Sequence, residues 1–442
     1  MDVVVGIDVS TAEVRALALD AHGRVHGRGR APLAAPTSPM PGHREQDARS
    51  WGPAAAAAFR DASAGLPVVA VSVCATSGTL VALDRDGAPI GPALMYNDQR
   101  DRLAWLAHNR PGAQRLAHAS DVVVAHLVGG ATPTDWSHAL KSGYDPETGA
   151  WRLDGVPAHL LPDVVPPTTV VGRTGGAEVR LGMTDGCASQ IAAGAAEPGR
   201  FASVLGTTLV LKGATAERLR DPAGVVYCHR HPDGWWLPGG ASNTGGAALA
   251  GFDDLAHWDE RAGEHGPAHH VAYPLVRRGE RFPFLDPDAE AFVLGQAHGE
   301  VDRYRAALEG VAFVERLGYE RLAELGAPKP PSAVVATGRG SASLVWNRIR
   351  ATVLGVPLEA APHASTARGA AILAAAGSLH PDLSSAAAAM AVTGAAVDPD
   401  ESERDALEES YRRFVSEIRA RAASRPGVPA IPPVGFVPAP EM

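Results

Sequence analysis

The chain has 442 residues, enough for two domains, and its 45% hydrophobic content is that of a globular protein. Lysine and arginine total 40 against 49 acidic residues, a net charge of -9, and no basic block offers a groove for a nucleic-acid backbone, which argues against a nucleic-acid partner. The three cysteines, Cys74, Cys187 and Cys228, form no C-x-x-C pair or disulfide framework, and no segment reads as an export signal or a membrane span, so a cytoplasmic protein without a membrane partner is expected.

In chain order, "VVVGIDVS", "VRALALD" and "RVHGRGRAPL" predict three short strands joined by tight turns. After "EQDARSW", an alanine-rich helix is expected from Trp51 to about Ala64, followed by "VVAVSVCATS", an apolar run of the kind found in buried parallel strands. This β-β-β-α-β order implies an α/β layer domain with a mixed sheet. The plan then recurs. "FASVLGTTLVLKG" is strand, polar corner and strand, and "GVVYCHRHPDGWWLPGG" is a hairpin turning at Pro232, Asp233 and Gly234. A helix is expected from Asp302 to Leu325, with Leu308, Val311, Ala312 and Leu317 on its apolar face; "SAVVATGRGSAS" is a strand ending in a glycine-rich loop, and "LVWNRIRATVLG" a helix. The expected organisation is a first domain over 1–198 and a second over 199–425, a duplicated α/β architecture with a cleft between the copies. A polar amphipathic helix and a proline-rich tail over 426–442 close the chain.

Three corners carry chemistry: "GIDVSTAEVR", "LGTTLVLK" and "GRGSAS". Corners rich in Gly, Ser and Thr present backbone N–H groups and hydroxyls at close range, which suits an anionic phosphate; the lysine-bearing G-x-x-x-x-G-K-[ST] loop does not occur. Asp8, directly after a buried strand, reads either as a turn aspartate bonding its own backbone or as a carboxylate near a phosphate-bound magnesium, through water. Asp185, in "RLGMTDGCASQIAAG", reads either as a helix N-cap or as a base taking the proton of an attacking alcohol. The loop groups Ser77, Thr79, Asn97, Asp98 and Arg100 match a polyol, or else belong to a hairpin turning at "DRDG". The histidines of "CHRH" and "HHV" (Cys228, His229, His231, His269, His270) match no zinc spacing and read as packing or surface residues.

Taken in order, these motifs resemble the FGGY family of carbohydrate kinases over nearly the whole chain. "GIDVSTAEVRALALD" and "LGTTLVLK" are similar to the family's two phosphate loops, "GMTDG" to its catalytic-aspartate segment and "ATGRGSASLVWNRIRATVLGVPL" to its adenosine motif. "SGTLVALD", "ALKSGYDPETG", "GGASNTGGA" and "RGERFP" are similar to the plant and cyanobacterial type of D-ribulokinase, with D-xylulose or another sugar or polyol as the alternative substrate. The resemblance implies two actin-like, ribonuclease-H-type domains with an ATP cleft between them, the first binding sugar and the second nucleotide, in a monomer or homodimer. It further implies Asp185 as general base, with the flanking Gly182 and Gly186 leaving room for the sugar; Asp8, Ser77 and Asp185 on the sugar; and Asp8 on Mg2+, through water. Thr11, Gly206, Thr207 and Thr208 would face the phosphates of ATP, and Gly338, Arg339 and Ser343 its adenosine. Two departures stand out: Ser10 occupies the place of a glycine in the first corner, and Arg339 and Ser343 stand where the adenosine loop has glycines and an asparagine. A non-catalytic sugar-binding relative and an actin-like ATPase are the readings from other classes.

Overall fold

The computed structural model describes residues 1–328, 333–361, 364–392 and 394–424; the proline-rich stretch 426–442 lies outside the described residues. The chain forms two compact units. The first comprises Met1–Ala192, His229–Gly234 and Ser365–Ala391; the second takes Ala193–Cys228, Trp235–Ala364 and the chain from Val392 onward. No single cut near residue 198 separates them, because two later segments rejoin the first unit.

In the first unit the strand Val3–Val9, buried along its whole length, is central. It pairs antiparallel with Glu13–Leu19, which pairs antiparallel with Val25–Pro32, and it pairs parallel with Val68–Ala75, which is in turn parallel to Ala177–Arg180. Alternation along the strand gives its two faces different work. Val3, Val5, Ile7 and Val9 join one core with Trp51, Ala55 and Ala58 of the helix Trp51–Ser63. Gly6 faces the other way, toward the helix Thr366–Ala375. That helix, more than 300 residues downstream in sequence, lies so close that a Cβ on Gly6 would be 2.0 Å from the Ala367 carbonyl oxygen and 2.2 Å from the Ala371 nitrogen. Two backbones cannot yield as a flexible side chain would, so Gly6→Ala is expected to destabilise the fold by about 3 kcal/mol. Denaturant unfolding measures this, and an unchanged midpoint would contradict the close packing.

The second unit repeats the order with different residues. The strand Arg200–Leu205 pairs antiparallel with Leu209–Gly213, which pairs antiparallel with Trp236–Ala241; on its other side it pairs parallel with Ala333–Thr337, itself parallel to Leu358–Ala360. The predicted hairpin turns where expected, with the Gly234 N–H donating to the His231 carbonyl. The long helix spans Glu300–Glu324 and is buried over most of its length, so its apolar stripe is widened by paired charges. Arg305 meets Glu309, Arg316 meets Glu320, and Glu315 meets Arg350 with both side chains fully buried. Burying such charges is tolerable only in pairs, since an isolated buried charge costs several kcal/mol. Among the described residues no helix is long and apolar enough to cross a membrane.

Candidate active site

Asp8, Ser77 and Asp185 meet at one end of the first unit's sheet. Val9 pairs with Ala75 in parallel register, and Ala75 bridges in parallel to Thr184. Asp8, the Thr76–Ser77 loop and Asp185 therefore leave the same edge of three adjacent strands, the carboxyl ends where open α/β sheets hold ligands. Asp185 is the first residue of the helix Asp185–Ala192. The Thr184 carbonyl accepts from the Cys187 and Ala188 N–H groups, so Thr184 holds the cap position and Asp185 the first turn. Its Oδ1 accepts the Gly186 N–H at 2.8 Å. Gly182 serves the backbone rather than a ligand: its φ is +103°, and a Cβ there would lie 2.1 Å from the Val73 carbonyl oxygen.

Asp8 is 5% exposed. Burial pushes its carboxyl up; Arg15, whose Nε lies 3.9 Å away, opposes this, while the charges of Asp185 and Glu13 add to it, and the result is about 7. Arg15 is half-exposed, so its charge is diluted by water and leaves the buried acid poorly compensated. The chemistry of two neighbouring carboxylates, one buried and poorly compensated, fits a divalent cation with oxygen ligands. Cys74, opposite Asp8 in the sheet, is pushed well above its ordinary value by burial and by these same carboxylates, which removes it from consideration as a nucleophile.

The first corner tolerates its serine. Ser10 has no positive φ, and its hydroxyl donates to the Glu13 carbonyl at 2.7 Å while its N–H donates to the same oxygen, closing the turn. Thr11 sits in that corner, with its carbonyl held by Gln46 Nε2. Of the groups predicted to meet a polyol, the structure commits several to the loop itself. Asp98 accepts from Arg100 and from the Arg44 N–H; burial pushes it up, but these donors win and hold it at about 2. Thr79 bonds the Thr76 hydroxyl and the Tyr96 N–H. Ser77 differs: its Oγ is buried without a hydrogen-bond partner in the protein. A buried hydroxyl left so costs about 1–3 kcal/mol, a cost that a ligand's hydroxyl removes.

In the second unit the other two corners also meet. The strands Arg200–Leu205 and Ala333–Thr337 end side by side, with Val204 opposite Thr337. The carbonyls of Gly206 and Thr207 accept from the Gly246 and Ala247 N–H groups, so the "SNTGGA" string braces the Gly206–Thr208 corner. Thr207 is exposed at its tip. Gly338 follows with φ +83°, where a Cβ would lie 2.6 Å from the Leu205 carbonyl oxygen, so this loop packs directly on the preceding corner. Arg339 is exposed, and Ser343 caps the helix Leu344–Leu354 by accepting the Trp346 N–H. The Ser343 oxygen is thereby engaged, while its hydroxyl proton remains available to donate.

One part of the site was missed by sequence reasoning. Asp135, 1% exposed, accepts the Ser137 and His138 N–H groups as a helix cap. Its Oδ1 also accepts the Ser137 hydroxyl at 2.5 Å, and Ser137 Oγ accepts the Thr184 N–H at 2.9 Å. This chain fixes the residue immediately before Asp185. Burial pushes His138 down, but the Asp135 carboxylate beside it outweighs that, and the imidazole is raised; the Asp185 charge adds in the same direction. The "TDWSH" string is legible as a helix cap, but its bond to Thr184, 47 residues away, is not. Ser137→Ala removes that bond, and a displaced Asp185 is expected to lower kcat by about tenfold to 100-fold with little change in KM. Steady-state kinetics test this, and an unchanged kcat would reject the positioning role.

Paired sheets of this order define the two-domain, actin-like class of α/β fold, and solved structures agree. The xylulose kinase of Rhodospirillum rubrum superposes with a TM-score of 0.84 over 96% of this chain and 99% of its own, at 24% identity. The profile of the N-terminal domain of the FGGY family of carbohydrate kinases matches residues 3–102, and that of the C-terminal domain matches 201–378. The chain belongs to the FGGY family of carbohydrate kinases. Among curated relatives, the xylulose kinase of Streptomyces coelicolor is 30% identical over 80% of this chain and 84% of its own length. That of Streptomyces rubiginosus is 29% identical over 78% and 81%.

Proposed function

We propose that the protein transfers the γ-phosphate of ATP to the terminal hydroxyl of a ketopentose, giving a ketopentose 5-phosphate and ADP. The observation that supports this reading best is the pair Asp8 and Asp185 at one strand edge, close enough that each charge is felt by the other. In this reading the Asp185 carboxylate orients the sugar hydroxyl and takes its proton as the new O–P bond forms and the β,γ-bridge bond breaks toward ADP. A sugar alcohol is too weak an acid to be deprotonated beforehand, so orientation is most of the contribution of Asp185. Ser77 Oγ bonds a sugar hydroxyl, and Asp8 holds Mg2+ through water while also facing the sugar. Mg2+ supplies neutralisation of the phosphate charge. Thr11, and in the second unit Gly206, Thr207 and Thr208, offer hydroxyls and N–H groups to phosphate oxygens, and Gly338, Arg339 and Ser343 contact adenosine.

For the sugar itself, the strings "GGASNTGGA" and "RGERFP" support D-ribulose. D-Xylulose is the second reading, favoured by the Streptomyces relatives. A coupled ADP-release assay over ketopentoses, polyols and gluconate tests both. Preference for D-ribulose supports the first reading, preference for D-xylulose the second, and ATP turnover independent of any sugar would overturn the kinase reading of the site. We place the protein in the cytoplasm as a monomer or homodimer, testable by fractionation and by light scattering.

A further inference from the structure

The second unit carries a cluster of imidazoles that shares no residue with the corners described above. His265 is the last residue of the helix Leu255–His265, His269 precedes the strand Val271–Tyr273, and Asp302 lies in the first turn of the helix Glu300–Glu324. Three separate elements thus bring one ligand atom each to within 4.8 Å of one another. His269 Nδ1 is 3.3 Å from Asp302 Oδ1, and His265 Nε2 is 3.9 Å from the same oxygen. Tetrahedral zinc with bonds of about 2.0–2.1 Å places neighbouring donor atoms about 3.3 Å apart. Of the three edges, one already has that length, a second needs less than about 1 Å of closure, and the third, between the two imidazoles, lies within 4.8 Å.

The surroundings are arranged as outer partners of a metal are. His265 Nδ1 lies 3.2 Å from the Gly266 carbonyl, a bond that puts the proton on Nδ1 and leaves Nε2 with its lone pair inward. Asp302 Oδ2 accepts from His270 Nδ1 at 2.9 Å and from the His298 N–H at 2.8 Å, and Oδ1 accepts the His269 N–H at 2.9 Å, which fixes the carboxylate with Oδ1 beside the two rings and one lone pair still to give. The Asp302 side chain is fully buried, whereas that of His269 is 54% exposed, so the cluster opens to solvent on one side. The His298 ring stands 4.6 Å from that of His269 and is itself exposed.

We propose that His265, His269 and Asp302 bind a borderline divalent transition ion, of which Zn2+ is the representative, and that the ion staples the end of one helix to the start of another. Two imidazoles and one carboxylate suit zinc over magnesium, which prefers oxygen donors and its own water. None of the three residues belongs to the groups proposed to meet sugar or ATP, so the proposal stands or falls independently of the sugar.

Untagged protein, stripped with chelator and held in excess Mg2+ to saturate any hard-cation site, is titrated with Zn2+ by calorimetry. The expected result is one Zn2+ per chain, a Zn2+-dependent rise in thermal midpoint, and binding at least about 100-fold weaker in the His265→Ala/His269→Ala pair. His269→Gln, on an exposed ring, serves as a milder variant, and circular dichroism in chelator checks that both remain folded. No binding in the wild type, or equal binding in wild type and folded variants, would overturn the proposal and leave Asp302 as a hydrogen-bond hub alone.

Discussion

Asp185→Asn is expected to lower kcat by about 10²–10⁴-fold, the range that a positioned general base supplies. The substitution is nearly isosteric, and an amide oxygen can still accept the Gly186 N–H that the carboxylate now holds at 2.8 Å. The helix start is capped by Thr184 rather than by Asp185, so folding should be preserved. Sugar binding, measured by calorimetry, is expected to stay within about tenfold of wild type, since the asparagine oxygen can still accept a sugar hydroxyl while the group that takes the proton is lost. A mutant with near-normal turnover would reject Asp185 as the base.

Asp8→Asn is expected to abolish nearly all activity and yet to stabilise the free protein at alkaline pH. The carboxyl stands at about 7 in the folded chain against an ordinary 3.8, first because it is buried. Between those pH values the folded chain holds a proton that the unfolded chain has lost, so stability falls as pH rises through this window and the loss is complete above about pH 7. Asparagine carries no such penalty. In Mg2+-free buffer the variant should match the wild type near pH 4 and exceed it at pH 8, by an amount on the order of a few kcal/mol. Added Mg2+ should raise the wild-type midpoint at pH 8 and leave the variant unmoved, because the ion relieves the same buried charge. Activity should drop by about 10²–10³-fold or more, as when one preorganised electrostatic group is removed. A variant less stable than wild type at pH 8 would contradict the account of Asp8 as an uncompensated acid.

Both results bear on how much of this protein is written locally. The alternation of "VVVGIDVS", the alanine-rich helix after Trp51, the hairpin at Gly234 and the long helix beginning near Asp302 all follow from period and turn chemistry, which act over a few residues. The corners were legible for the same reason, but local pattern left Asp8 open between turn residue and functional acid and Asp185 open between helix cap and base; only the resemblance of the ordered motifs to the FGGY family favoured the second reading of each. For Thr79 and Asp98 the sequence left polyol contact and loop structure open, and only the folded loop shows that the Tyr96 N–H, Arg44 and Arg100 engage them. Gly182 was read as room for a sugar, whereas the Val73 backbone fills that room.

The sequence by itself therefore determined the α/β class and, in each half, the two strands flanking the first corner and a later buried strand, since each depends on neighbours along the chain. The tertiary structure alone decided which units the segments 229–234 and 365–391 join, that Ser137 tethers Thr184, and that His265, His269 and Asp302 converge. These depend on contacts between residues 33 to more than 300 positions apart. Such pairings are selected by burial and close packing of whole elements, and no local pattern of residue types encodes them.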